Sequence, residues 1–181
     1  MPSEKRLAAD MAELLSASPL AGEEPFPKAR LAEAVRVVLD AAIERAPGKP
    51  AIAIESVTGP VSERLTRIAV INDDMPFLVD SIAATIDALG LAIDRLVHPM
   101  VMVERTAGGR LSALAANGAT GKRESIVYVE STRADARTRS RLRSALLATL
   151  DEVRVAVVDW PKMQAAMAAD ADRLERQADA E

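Results

Sequence analysis

The run Ile68-Ala69-Val70-Ile71 stops abruptly at Asn72-Asp73-Asp74-Met75-Pro76. Four apolar residues without alternation predict a strand covered on both faces. Asn and Asp favour the turn that follows. Proline lacks an N–H and suits a first helical turn, and it pushes the residue before it away from helical angles. A helix is therefore expected to begin at Pro76. Leu78, Ile82, Ile86 and Leu89 give that helix one buried stripe, and Gly90 is placed for a left-handed C-terminal cap. A covered strand that turns directly into an amphipathic helix is the first half of a split βαβ arrangement. The rest of the chain must supply its neighbours.

Leu91 to Glu104 reads as a strand of 14 residues, well beyond the usual length of about six. Pro99 cannot donate to a ladder, so this strand is expected at a sheet edge or bent at Pro99. Ala107-Gly108-Gly109 reads as a hairpin turn into Leu111–Leu114, Asn117–Lys122 as a loop, and Glu124–Ser131 as a strand. A helix over Asp135–Leu150 carries Leu142, Ala145, Leu146 and Leu150 inward. Glu152–Trp160 is expected as a closing strand with Val153, Val155 and Val157 on one face. The order predicts an α+β, ferredoxin-like βαββαβ sandwich with an inserted hairpin, both helices on one face of four antiparallel strands.

Before it, Ala51–Val57 reads as a short strand, followed by a Thr58-Gly59-Pro60 turn. Residues 1–50 read as a helical arm. Leu7, Met11, Leu14 and Leu15 mark one helix; Leu31, Val35, Val38, Leu39 and Ile43 mark a second that starts after Pro27 and ends at Pro47-Gly48-Pro50. The expected divisions are thus 1–50, 51–160 and 161–181. The last is a helix through Met163, Met167 and Leu174, expected to lead into a longer polypeptide.

Composition removes most chemistry. There are 23 basic and 27 acidic residues, a net charge of −4, so nothing global attracts a nucleic-acid backbone or an anionic membrane. No cysteine and a single histidine exclude thiolate sites and paired-histidine metal sites. No signal peptide or membrane-length apolar run is read, and a cytoplasmic, reducing setting is expected. Gly118-Ala119-Thr120-Gly121-Lys122 lacks the phosphate-loop spacing, with Arg123 where Ser or Thr is needed, and reads as a flexible loop. No dinucleotide fingerprint is present. His98 reads as structural or as a ligand contact, and no nucleophile elbow surrounds Ser56, Ser81 or Ser125. Asn72, Asp73 and Asp74 read as a capped turn more readily than as a metal site. Arg133, Arg137, Arg139, Arg141 and Arg143 flank the Leu142 and Leu146 stripe. They read as a solvated face or as an interface with another part of a protein, with Arg139 and Arg143 the candidate interface residues. Aromatic stacking residues for nucleic acid are missing.

The stretch Asp73-Asp74-Met75-Pro76-Phe77-Leu78-Val79-Asp80-Ser81-Ile82 resembles the first ACT-type domain of the large NAD-specific glutamate dehydrogenases of bacteria. Further landmarks follow in order: His98-Pro99, Arg105 with the Gly108-Gly109 turn and Leu111, Glu124-Ser125, and Val153-Arg154-Val155-Ala156-Val157-Val158-Asp159-Trp160 with Met163. The resemblance covers about residues 64 to 167. It implies a regulatory or assembly module without catalytic residues or a cofactor of its own. The much longer parent would use NAD, in a dehydrogenase domain far downstream, to deaminate L-glutamate. Downstream domains, a homo-oligomer and an amino-acid effector are the implied partners. A stand-alone dimeric amino-acid sensor is the alternative. The family's ligand loop reads Asp-x-Pro-Gly, which places the candidate ligand-binding residues at Asp73, Asp74, Met75, Pro76 and Phe77. Phenylalanine stands in the glycine position, and its ring is expected to pack into the core or a partner domain.

Overall fold

The structure is a computed structural model and describes residues 4–17, 25–58, 64–115 and 121–178. The apolar run lies in β2 (Arg64–Asp73), held between β1 (Ala51–Thr58) and β6 (Lys122–Thr132) and antiparallel to both. Ala69 and Ile71 enter one core while Ile68 and Val70 enter another. β6 repeats this division, with Ile126 and Tyr128 on the first side and Val127 and Val129 on the second. Burial on both faces is the reason these strands read as unbroken apolar runs.

Pro99 breaks the long segment as expected. β3 (Ile93–Val97) pairs with one end of β6, and β4 (Met100–Arg105) pairs with the other. Between them the Ile126 N–H donates to the Pro99 carbonyl at 3.0 Å, so proline takes part through the one polar group it has. β5 (Leu111–Ala115) forms a hairpin on β4, and the sheet runs β1-β2-β6-β4-β5 with β3 also beside β6. At the hairpin turn Gly109 has φ +86, and a Cβ there would stand 2.1 Å from the Arg45 carbonyl oxygen. Only glycine fits that approach.

α3 (Leu78–Asp87) and the first third of α4 (Ala136–Ala178) cover one face through Ile82, Ile86, Leu142, Leu146 and Leu150. α1 (Glu4–Ala17) and α2 (Lys28–Ala42) cover the other, where Met11, Leu15, Val35 and Val38 pack with Ile71, Val103 and Tyr128. The helices read as an arm are thus a third layer sharing the domain's core. Gly90, with φ +73, follows α3 as the left-handed residue expected there.

The fold is ferredoxin-like, with corrections to its assembly. Glu152–Trp160 is not a strand; it is part of α4, which runs 43 residues straight through Pro161. The place beside β2 is taken by β1, in a register that sets Ile54 against Ile68. Two physical reasons combine. β1 reaches β2 across a short connection and closes a cheap loop. The alternation Val153-Arg154-Val155-Ala156-Val157 also satisfies a helix, because Val153, Val157 and Trp160 fall on one helical face. The expected division at residue 160 therefore falls inside a helix. α3 begins at Leu78 rather than Pro76, because Pro76 and Phe77 form a turn first. The Gly118-to-Thr120 part of the rejected phosphate loop and the Gly59-Pro60 turn lie outside the described residues. Among the described residues no helix is long and apolar enough to cross a membrane.

Candidate functional site

The turn between β2 and α3 carries every residue expected to form the ligand loop. Asp73 closes β2. Its carboxylate receives Arg45 Nη2 at 2.7 Å and Lys122 Nζ at 2.8 Å, with Arg154 Nη1 at 3.5 Å. Burial works to raise this carboxyl, but the hydrogen bonds from Lys122 and Arg45 outweigh it and hold the group down at about 2. Asp74 accepts from Ser125 Oγ at 2.7 Å, and its own N–H donates to the Arg123 carbonyl at 3.3 Å. The loop is thereby fastened to the first residues of β6.

Beneath it lies a buried ionic knot. Glu124, 1% exposed, accepts Arg105 Nε and Nη2 at 2.8 Å each and Arg45 Nη1 at 2.5 Å. Arg45 also donates from Nε to the Lys49 carbonyl, and Arg105 Nη1 donates to the carbonyls of Ala42 and Gly109. Every nitrogen of both guanidinium groups is occupied. The neighbouring depression of about 600 Å³, lined by Arg45, Arg105, Ser112 and Lys122, therefore offers an anion no unused buried guanidinium nitrogen. The knot locks the end of α2, the β4–β5 hairpin and the start of β6 to the loop.

Phe77 does not take the core alternative of its expected packing, and the partner-domain alternative stays open. It takes φ 67 and ψ 4, the only positive φ outside glycine among the described residues, and its side chain is 66% exposed, not packed in the domain's own core. The conformation is the one a glycine in the family's loop would adopt without cost; a side chain there costs roughly 1–2 kcal/mol. A helix start leaves its first amides without intrahelical partners, so α3 opens at Leu78 beside the exposed ring. A shallow groove of about 390 Å³ follows, lined by Asp74, Pro76, Phe77, Asp80, His98 and Met100. Burial lowers the pKa of His98, with Asp74 opposing in part. Ser125 gives its proton to Asp74, not to an imidazole, so no activated nucleophile is assembled. Among the described residues no cluster of His, Asp and Glu could hold a metal ion.

Arg139 and Arg143 are not brought to the loop. Arg139 Nη1 donates to Ser56 Oγ and the Ala134 carbonyl, and Arg143 Nη1 to the Ile52 carbonyl, so both tie α4 to β1. Arg154 reaches the site instead, with Nη2 donating to Asn72 Oδ1 at 2.9 Å. Sequence reasoning gave Arg45, Arg105, Lys122, Glu124, Ser125 and Arg154 no role at the site. Four of them, Arg105, Glu124, Ser125 and Arg154, are landmarks of the family resemblance, and that was the signal pointing to them. Arg45, just before a helix-ending Pro-Gly, carried none.

A family model described as "Glutamate dehydrogenase, ACT1 domain" matches residues 11–146. The NAD-specific glutamate dehydrogenase of Pseudomonas aeruginosa is 38% identical over 104 residues, which is 55% of this chain and 6% of that protein. The protein of the same name from Halomonas elongata is 33% identical over 114 residues, 61% of this chain and 7% of that protein. The chain thus spans a small fraction of these relatives' length. The family model takes in β1 to β6, α2 and α3, together with the loop and the knot, and the chain belongs to the glutamate dehydrogenase ACT1 domain family.

Proposed function

We propose that this chain is a non-catalytic regulatory or assembly module of a large, cytoplasmic NAD-dependent glutamate dehydrogenase. The parent reaction takes L-glutamate, NAD and water to 2-oxoglutarate, ammonium and NADH, with NAD held by the downstream portion. The observation that carries this reading is the loop itself. Arg45, Lys122 and Ser125 tie down its Asp73 and Asp74, yet it presents an exposed Phe77 and a half-exposed Met100 beside an open groove. Exposed aromatic and methionine side chains are features of docking surfaces. Asp74 and Asp80 flank the helix start and oppose an incoming ligand carboxylate, although free amides and the helix dipole would otherwise favour one. The loop therefore engages another domain of the same enzyme more readily than a free amino acid. Arg139 and Arg143 are assigned to holding α4 against β1.

Calorimetry against glutamate, aspartate, arginine and the branched-chain amino acids tests the proposal. Binding is expected at a dissociation constant of about 1 mM or weaker, near −4 kcal/mol. A micromolar constant lost in Asp74→Ala would reject docking through the loop and favour an amino-acid-sensing chain, the stand-alone dimeric sensor included.

A further inference from the structure

The groove beside the candidate loop carries charge of one sign. Asp74 and Asp80 line it, and no lysine or arginine does. The other carboxylates near the loop are taken up by arginines: Asp73 by Arg45 and Arg154, and Glu124 by Arg45 and Arg105. Among the described residues Asp74 meets one cation, Arg123, at 3.7 Å, and that side chain is 64% exposed. A pair so open to solvent holds weakly. The side chain of Asp80 is exposed and makes no hydrogen bond or ion pair among the described residues. A carboxylate in the first turn of α3 complements the helix dipole, which accounts for Asp80 alone. It accounts neither for Asp74 nor for the apolar side chains that share the groove.

Those side chains are open. Phe77 is 66% exposed and Met100 54%. His98 completes the wall. Burial lowers its pKa, so near neutral pH the ring brings no positive charge to the groove. Its Nε2 is shielded from solvent without a hydrogen-bond partner among the described residues, and an arriving N–H would supply one.

Size and charge together narrow the occupant. A volume of about 390 Å³ suits an extended side chain with its immediate neighbours and is too small for the face of a helix. An acidic occupant is repelled. An apolar one leaves both carboxylates without a partner. An arginine meets every feature: its guanidinium pairs with carboxylates, and its plane stacks on an exposed aromatic face. Free arginine brings a carboxylate of its own to Asp74 and Asp80, whereas an arginine within a polypeptide does not.

We infer that the groove receives an arginine side chain presented by another domain of the parent enzyme. The inference rests on the docking role proposed for the loop and adds the chemistry of what docks there. The guanidinium stacks on Phe77 and pairs with Asp80 and Asp74, and the methylene stem packs on Met100.

Photo-cross-linking in the purified full-length dehydrogenase tests this. With p-benzoylphenylalanine in place of Phe77, light should join position 77 to one segment of the same enzyme. Mass spectrometry should find an arginine within a few residues of the attachment. Asp80→Arg should lower the cross-linking yield about tenfold, while the 181-residue chain carrying it keeps a cooperative melting transition. Changing the identified arginine to aspartate in the Asp80→Arg background should restore the yield. A cross-link to a segment without arginine, or a yield indifferent to Asp80→Arg, would overturn the arginine site and leave the docking role standing. No cross-link from position 77 would remove both.

Discussion

Glu124 and Glu130 stand on the same strand, face the same side of the sheet and are each 1% exposed, yet they are held in different ways. Glu124 takes three charge-assisted hydrogen bonds of 2.5 to 2.8 Å from Arg45 and Arg105. Glu130 sits within a ring of arginines at longer range: Arg30 at 3.5 Å, Arg67 at 3.7 Å and Arg95 at 3.9 Å. The Tyr128 hydroxyl donates to its Oε1 at 3.0 Å, while Oε2 has no hydrogen-bond partner among the described residues. The register places Arg67 and Arg95 directly across from Glu130 on its two neighbouring strands, and Glu55 across from Arg67. The same pairing chemistry thus serves two ends. A short, saturated knot fixes the loop in place, and a looser cross-strand ladder neutralises charge under α2. Coulomb attraction falls slowly with distance but hydrogen bonding falls steeply, so the knot alone is expected to act as a clamp.

The largest effect should come from Glu124→Ala, which removes the carboxylate shared by Arg45 and Arg105 and leaves Arg45, itself 2% exposed, with Asp73 as its remaining carboxylate partner among the described residues. A loss of about 3–5 kcal/mol is expected from chemical denaturation. Glu130→Ala should cost less, about 1–2 kcal/mol, because Arg67 keeps Glu33 at 3.2 Å and Glu55 at 3.8 Å. Equal losses for the two substitutions would break the comparison.

Asp73 gives a pH signature of the clamp. Its folded pKa of about 2 lies below the ordinary value of 3.8. Its contribution is therefore fully present above about pH 4 and disappears as pH falls through 2. Solvent reaches part of the carboxylate, so the contribution is about 1 kcal/mol after screening. Stability curves of wild type and Asp73→Asn should converge across that window; curves that stay parallel would remove Asp73 from the clamp. The smallest effect is expected at Phe77→Gly, which relieves the left-handed strain while adding chain entropy to the unfolded state. A net gain of about 0.5–1 kcal/mol should raise the melting temperature. A marked loss would mean that the ring is packed after all.

Much of this was legible in the chain. Pro99 marked the break between β3 and β4 because a missing N–H is a local fact. Ile68 to Ile71 marked a doubly covered strand because burial on both faces removes alternation. Glu152–Trp160 was not legible: valines at every second position fit a strand and a helix alike, and whether a strand forms depends on a free place beside β2. The conformation of Phe77 was equally hidden, since a bulky residue at positive φ contradicts local preference and persists only where its surroundings hold it. Glu124 and Arg105 were visible as landmarks of the family but not as a pair, because nothing in their spacing shows that β4 and β6 bring them together.

Hydrophobic spacing, prolines and glycines by themselves determined where β2 stops, where the long segment breaks at Pro99 and which stripe of α3 is buried, because those outcomes depend on interactions within a few residues. Tertiary structure decided which strand lies beside β2, that α1 and α2 close the second face of the sheet, and that Arg45, Asp73, Arg105, Glu124 and Arg154 meet at one loop. Those outcomes depend on competition between distant segments for the same space, and only the folded chain resolves it.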